Sequence, residues 1–278
     1  NAGGTTSING GGETTTGAQT YNDAVTLGTN STVTSTGSGN VTFAQAITGG
    51  SNSLAVNTAG AGKIQNGASG LSTLTTDAAG TTELSGAITS SGAQTYNDAV
   101  TLTGATSITG VGNTFASTVN GAQTLSTVDT GTTTFAGAVG GAAALASLTA
   151  SANTVNVNAV TTTGAVSITA GNDVTVGGTV TAGSTIDVLF GQSAAGTFTA
   201  NAGFAAPGAK TVTGGANIDN FNINAALAAN LAGAGGADVF ALGANTLTGS
   251  IDGGADGGQI TGLANPTLTA DSTLAATG

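Results

Sequence analysis

The amino-acid sequence predicts an all-β fold, a parallel β-solenoid wound in coils of roughly twenty residues. Three observations predict it. Short segments alternate apolar and polar positions, as in residues 41–43, 154–157, 166–168, 174–176 and 186–188, with Gly-rich text between them. Alternation over three to six residues is the pattern of a half-buried strand. A bulky residue also recurs four positions before a β-branched one, in Tyr21/Val25, Phe43/Ile47, Leu84/Ile88, Tyr96/Val100, Phe115/Val119 and Phe135/Val139. Finally, 48 of the 278 residues are Gly and the apolar content is mostly Ala, Val and Ile, which suits a narrow core.

The first members of those six pairs stand 22, 41, 12, 19 and 20 residues apart. The dominant step is therefore about twenty, with one skipped copy and one short step. A sandwich or an up-and-down barrel also consists of many short strands, but their strands usually carry distinct sequences. A recurring coil instead buries a core lined by stacked equivalents. At a strand spacing of ~4.8 Å, about thirteen or fourteen such coils make an elongated rod roughly 60 to 70 Å long.

Each pair reads as a corner between two short strands. Between its apolar members lie Asn22-Asp23, Ala44-Gln45, Ser85-Gly86, Asn97-Asp98, Ala116-Ser117 and Ala136-Gly137. Asn, Asp and Gly tolerate left-handed backbone angles, so these positions are expected to turn the chain that way. The eleven residues GAQTYNDAVTL occur identically at 17–27 and 92–102. In both copies Val25 and Leu27, like Val100 and Leu102, are expected to face the core, and Tyr21 and Tyr96 to pack against or cap a coil. Residues 142–148 and 225–231 are rich in Ala and Leu and fit either a short helix or another strand. The expected division is a repeat region over 1–200 and a continuation, cap or docking region over 201–278, around which Phe198, Phe204, Phe221 and Phe240 gather.

Composition excludes several function classes. With 39% hydrophobic residues, 5% charged and a mean hydropathy of +0.25, the chain does not have the composition of a disordered one. Its net charge of -11 comes from 13 acidic residues against Lys63 and Lys210. Nucleic-acid binding needs clustered cations and is not expected, nor is a basic membrane-surface segment. No apolar run is long enough for a membrane-spanning helix, so membrane insertion is not expected. Cys, Met, Trp, His and Arg are all missing, which removes disulfides, thiol chemistry and the commonest metal and acid-base side chains. The remaining carboxylates are scattered and form no catalytic constellation, so the chain reads as no enzyme. It begins at Asn1 without Met or a charged-then-apolar leader, as a processed or excised product would.

Both GAQTYNDAVTL copies, together with TNSTVTSTGSGNVTFAQAI (29–47), TTELSGAI (81–88) and TTTFAGAV (132–139), resemble the passenger regions of filamentous-haemagglutinin-type exoproteins and related autotransporter adhesins. The resemblance covers about residues 13–190. It implies a right-handed parallel β-helix, extracellular or on the surface of a bacterium with an outer membrane, serving adhesion, aggregation or biofilm structure. It carries over no receptor-binding residue. Residues 233–241, GAGGADVFA, resemble the calcium-binding nonapeptide G-G-x-G-x-D-x-U-x of RTX-type repeats at Gly233, Gly236, Asp238 and Phe240, with Ala234 departing from it. That resemblance implies calcium at Asp238, with Asp252 and Asp256 as further candidate ligands although they are offset from the pattern and no second intact copy follows; a plain Gly-rich turn is the alternative reading.

The expectation for function is a non-catalytic extracellular structural protein that pairs with itself head to tail into surface or matrix fibres, alongside other cell-surface or matrix components. Two alternatives stand beside it. One is the stalk of a large secreted adhesin whose binding tip lies elsewhere. The other is an ice-binding solenoid displaying Thr ranks, such as Thr32/Thr34, Thr101/Thr103 and Thr179/Thr181, whose irregular spacing in sequence does not guarantee one flat face.

Overall fold

In the computed structural model, residues 3–262 and the strand Leu274–Ala275 are described. Every strand pairing among them is parallel, and the described residues contain no helix. The chain forms a parallel β-solenoid of about thirteen coils, in two compact units, Asn1–Leu145 and Ala146–Gly278.

In the first unit each coil runs over three faces. The first face stacks Gly12–Thr15, Ser31–Ser35, Leu54–Thr58, Leu74–Thr76, Gln94–Tyr96, Thr114–Phe115 and Thr132–Phe135. The second stacks Gln19–Tyr21, Val41–Phe43, Ala61–Ile64, the start of Thr81–Ser90 and the start of Ala99–Gly110. The third stacks Thr5–Ile8, Ala24–Leu27, Ile47–Thr48, Ala68–Leu71, the ends of those two long strands, and Thr124–Asp129. The long strand Thr81–Ser90 passes from the second face to the third through a register shift at Gly86, whose φ of +88° is one that a side chain would strain.

Alternation decides which side chains enter the core, because successive side chains point to opposite faces of a strand. Val25, Phe43, Ile47, Leu84, Ile88, Tyr96, Val100, Phe115, Val119, Phe135 and Val139 are all buried, and Tyr21 is half-buried. Leu27 and Leu102 also face inward, as expected. Column by column the core stacks like on like: Tyr21 on Phe43 at 5.0 Å between ring centroids, Tyr96 on Phe115 at 4.9 Å and Phe115 on Phe135 at 4.8 Å. Ring planes within each pair lie 12° or less apart. The strand spacing dictates that distance, and stacked rings meet it without a gap.

The six spaced pairs are not, however, equivalent. Tyr21/Val25, Phe43/Ile47 and Leu84/Ile88 turn the corner from the second face to the third, whereas Tyr96/Val100, Phe115/Val119 and Phe135/Val139 turn the corner from the first to the second. Leu84 pairs with Leu102, and Ile88 with Ile108, not with Tyr96 and Val100. The skipped copy is Ile64/Ala68, paired with Phe43 and Ile47. The short step of twelve residues from Leu84 to Tyr96 is where the motif moves from one corner to another.

The second unit repeats the three-strand order. Its first face stacks Thr154–Val157, Val174–Val176, Thr197–Ala200, Asn220–Ile223, Asp238–Ala241 and Gly258–Thr261. The ladder runs through position 200 by the pairing of Thr197–Ala200 with Asn220–Ile223. Phe198, Phe221 and Phe240 form one inward column there, with Phe190 edge-on against Phe221 at 4.9 Å. Residues 225–231 are not a helix but carry the strands Leu227–Ala228 and Asn230–Ala232. Residues 142–148 hold no helix either; they are bends leading to a bridge at Leu145 and into the strand Ser147–Ala152. Pro207 lies in a bend, and Pro266 lies outside the described residues.

Candidate functional site

The duplicated eleven residues build the same local device on two different faces. In the first copy Gln19 and Tyr21 lie two apart on a strand of the second face, and the Tyr21 hydroxyl donates to Gln19 Oε1 at 2.8 Å. Gln19 Nε2 donates to the Thr34 carbonyl at 2.8 Å and to that of Glu13 at 3.5 Å. In the second copy, on the first face, the Tyr96 hydroxyl donates to Gln94 Oε1 at 2.7 Å. Gln94 Nε2 donates to the carbonyls of Thr109 at 2.9 Å and Ile88 at 3.4 Å, and to Ser90 Oγ at 3.0 Å. The offsets are identical in both copies, fifteen residues ahead and six behind.

This explains why the segment recurs as a block. Gln and Tyr two apart point to the same side of a strand, so the hydroxyl and amide satisfy each other locally. The amide's remaining N–H groups then tie the strand to the chain before and after it. Such a lock depends on the coil's width and not on which face carries it. The first lock is half-buried and the second fully so, with Gln94 and Tyr96 each 0% exposed. Burial raises the Tyr96 hydroxyl far above its ordinary value, and it raises Tyr21 too, aided by the nearby Glu13 charge.

The corner residues Asn22, Asp23, Asn97 and Asp98 do not use left-handed backbone. Among the described residues the non-glycine positions with positive φ are Ser38, Ser51 and Ala234. What these side chains do instead is bond from one coil to the next. Asp23 Oδ1 accepts from the Gly4 N–H at 3.3 Å, and Asn97 Nδ2 donates to the Thr76 carbonyl at 2.7 Å. Buried Asp98 accepts from the hydroxyls of Thr76 at 2.9 Å and Thr82 at 2.8 Å. Its carboxyl is pushed up by burial, against which the two hydroxyls act. Asn30, Asn40, Asn66, Asn120, Asn230, Asn245 and Asp77 make comparable bonds across about twenty residues. The residue types favoured in turns are the same ones able to bond neighbouring backbone, so sequence alone does not separate the two uses.

The carboxylates implied by the RTX resemblance are placed as follows. Asp238 is fully buried; its Oδ1 accepts from the Asp219 N–H at 2.8 Å, while Oδ2 has no protein partner. A Cβ at Gly233 would stand 2.0 Å from that Oδ2, so glycine there makes room for the carboxylate. Asp252 Oδ1 accepts from the Gly254 N–H at 3.0 Å, and exposed Asp256 accepts from the Gly236 N–H at 3.1 Å. Among the described residues no group of three or more His, Cys, Asp or Glu side chains is arranged to hold a metal ion. Burial pushes the Asp238 carboxyl up to about 6, and the charges of Asp219 and Asp256 add to that.

On the outside, the hydroxyl-bearing residues fall into register. The third face of the first unit lines up Ser7, Thr26, Thr48 and Ser69, and Thr89 stands beside Thr109. The first face lines up Thr75, Thr95, Thr114 and Thr134. The second face carries Lys63, whose ammonium lies 2.7 Å from Glu83 on the next coil, the one ion pair among the described residues. No helix among the described residues is long and apolar enough to cross a membrane. Sequence reasoning missed the Gln-x-Tyr lock, although two identical copies of an eleven-residue block were the signal that a specific side-chain arrangement was being kept. No protein-family model, no curated protein and no solved structure matches the chain.

Proposed function

We propose that this chain is a non-catalytic structural solenoid that works outside the cell, as a subunit of surface or matrix fibres or as the shaft of an adhesin. The observation that carries this reading is the inward direction of its polar chemistry. Gln94, Asp98, Asp129 and Asp219 are buried and bond from one coil to another, and the buried Tyr96 hydroxyl is committed to Gln94. The outward columns include runs of hydroxyls, such as Thr75, Thr95, Thr114 and Thr134, beside the Lys63 and Glu83 pair and the exposed Val128. A chain built this way resists deformation along its length and offers little for a reaction. The resemblance to filamentous-haemagglutinin-type passengers supports the same reading, with a bacterial cell surface as the setting.

Self-association follows from the same ladder physics. Thr5–Ile8, Gly12–Thr15 and Gln19–Tyr21 each have a ladder partner on one side only among the described residues, and Glu13 is the one charge on them. A strand edge of that kind accepts another parallel strand, from a second copy or from a preceding coil of a longer chain. Electron microscopy of the purified chain over a concentration series tests the reading. Uniform fibres support the self-assembling form, and isolated particles at every concentration support the shaft. A soluble enzyme activity on a polysaccharide or peptide would count against both.

A second reading draws on columns such as Thr75, Thr95, Thr114 and Thr134, although the ranks expected from the sequence do not form them: Thr32 stands beside Gly12 and Ala55, and Thr101 beside Glu83 and Asn120. Ranks of Thr repeating at the strand spacing of ~4.8 Å suit an ordered water lattice. Thermal hysteresis measured on the purified chain decides it, with zero activity removing ice binding.

A further inference from the structure

The coil that follows the second lock carries the same frame with two changes. By the pairing of Thr95 with Thr114 and of Tyr96 with Phe115, Asn113 stands over Gln94 and Phe115 over Tyr96. Gln94 spans the interior to the Thr109 carbonyl, but Asn113 is one methylene shorter, and Phe115 has no hydroxyl to offer it. The result is a fully buried amide whose Oδ1 and Nδ2 both lack a protein partner. Its backbone is fixed on both sides: its N–H donates to Asp129 Oδ2 at 2.7 Å, and its carbonyl accepts from the Thr134 N–H at 2.9 Å.

The third face of the same coil supplies a matching orphan. Thr127 pairs with Ile108, is fully buried, and has a hydroxyl without a protein partner. Asn113 Oδ1 lies against the inner side of Gly110, 2.6 Å from where a Cβ would stand, and Gly110 is two residues beyond Ile108 on that strand. Asn113 Oδ1 and Thr127 thus lie beside successive inward positions of one third-face strand, Gly110 and Ile108. The adjacent carboxylate of Asp129 is already engaged by the N–H groups of Gly112, Asn113 and Gly131 and the Thr133 hydroxyl.

We infer that the coil from Asn113 to Asp129 binds one internal water, held between the Asn113 amide and the Thr127 hydroxyl. The orphan groups are an NH2 donor, a carbonyl acceptor and a hydroxyl. A cation would satisfy the oxygens and leave the NH2 unpaired, while an anion would do the reverse. Water both donates and accepts, and buried waters typically take about three such bonds. It stands in for the methylene and hydroxyl that this coil lacks relative to the one before it.

High-resolution crystal structures of the wild type and Asn113→Gln test this. The wild type is expected to show one water within bonding distance of both side chains. Asn113→Gln restores the missing methylene, so its amide should reach the third-face backbone, as Gln94 does, and the water density should vanish. Wild-type density with no water there, and the Asn113 amide bonded directly to protein, would overturn the inference. Unfolding midpoints give an independent reading: Thr127→Val should lower the midpoint in the wild type but not in Asn113→Gln, where the water is already displaced. An equal drop in both backgrounds would mean that the two residues share nothing.

Discussion

The Tyr96 hydroxyl donates to Gln94 Oε1 at 2.7 Å inside the solenoid, and both side chains are fully buried. A hydrogen bond between two neutral groups contributes little net in water, but leaving one of them unpaired in a core costs ~1–3 kcal/mol. Tyr96→Phe should therefore destabilise the chain by about that amount in urea unfolding, because Gln94 Oε1 loses its donor. Tyr21→Phe, at the half-buried copy where water replaces the lost hydroxyl, should cost about 1 kcal/mol or less. Equal losses at the two sites would show that burial is not what separates the locks.

Phe115 sits between Tyr96 and Phe135 in one ring column. Phe115→Ala removes contacts on both sides and leaves a cavity that the ladder spacing prevents from closing, so it should cost ~3–5 kcal/mol. Thr114→Ala, on the outward side of the same strand, should stay within about 0.5 kcal/mol. Thermal unfolding of the two variants provides the comparison.

The buried carboxyls predict an unusual pH dependence. Asp98, Asp219 and Asp238 are all raised by burial, Asp238 from its ordinary 3.8 to about 6. For an acid raised on folding, the folded state binds more protons than the unfolded one between the two values. The stability linked to Asp238 is thus fully present below about pH 4 and lost as pH rises through about 6. The unfolding midpoint should fall over that window, and Asp238→Asn should flatten it. A midpoint that rises from pH 4 to 7 would contradict the burial of these groups as described.

The Lys63 and Glu83 pair is a weaker tie. Their side chains are 22% and 26% exposed, so solvent screens the attraction. Glu83→Gln should change stability by less than about 1 kcal/mol, and the change should shrink in high salt. A larger or salt-independent loss would assign this pair a packing role instead.

The sequence made the strands and their inward residues readable, because period-two alternation at residues 41–43 or 174–176 has no helical reading. It did not show which corner a motif turns. Tyr21/Val25 and Tyr96/Val100 have the same spacing because any corner between two inward positions does, and only the twelve-residue step from Leu84 to Tyr96 recorded the change. Asn97 and Asp98 were readable as corner residues but not as ties to Thr76, since the partner lies a whole coil away. Asn113 was invisible as a site, because its significance lies in standing over Gln94.

The most direct test of this account is where Thr101 of the second copy lies. It pairs with Glu83 on the second face, whereas its counterpart in the first copy, Thr26, lies on the third face in the column of Thr48 and Ser69. The chain has no Cys, so paired cysteines report cleanly. Neighbouring parallel strands bring Cα atoms to ~4.8 Å, within disulfide range. Under mild oxidation the double variant Glu83→Cys/Thr101→Cys should cross-link and Thr89→Cys/Thr101→Cys should not. The opposite outcome would place both copies on one face and contradict the arrangement of the solenoid given above.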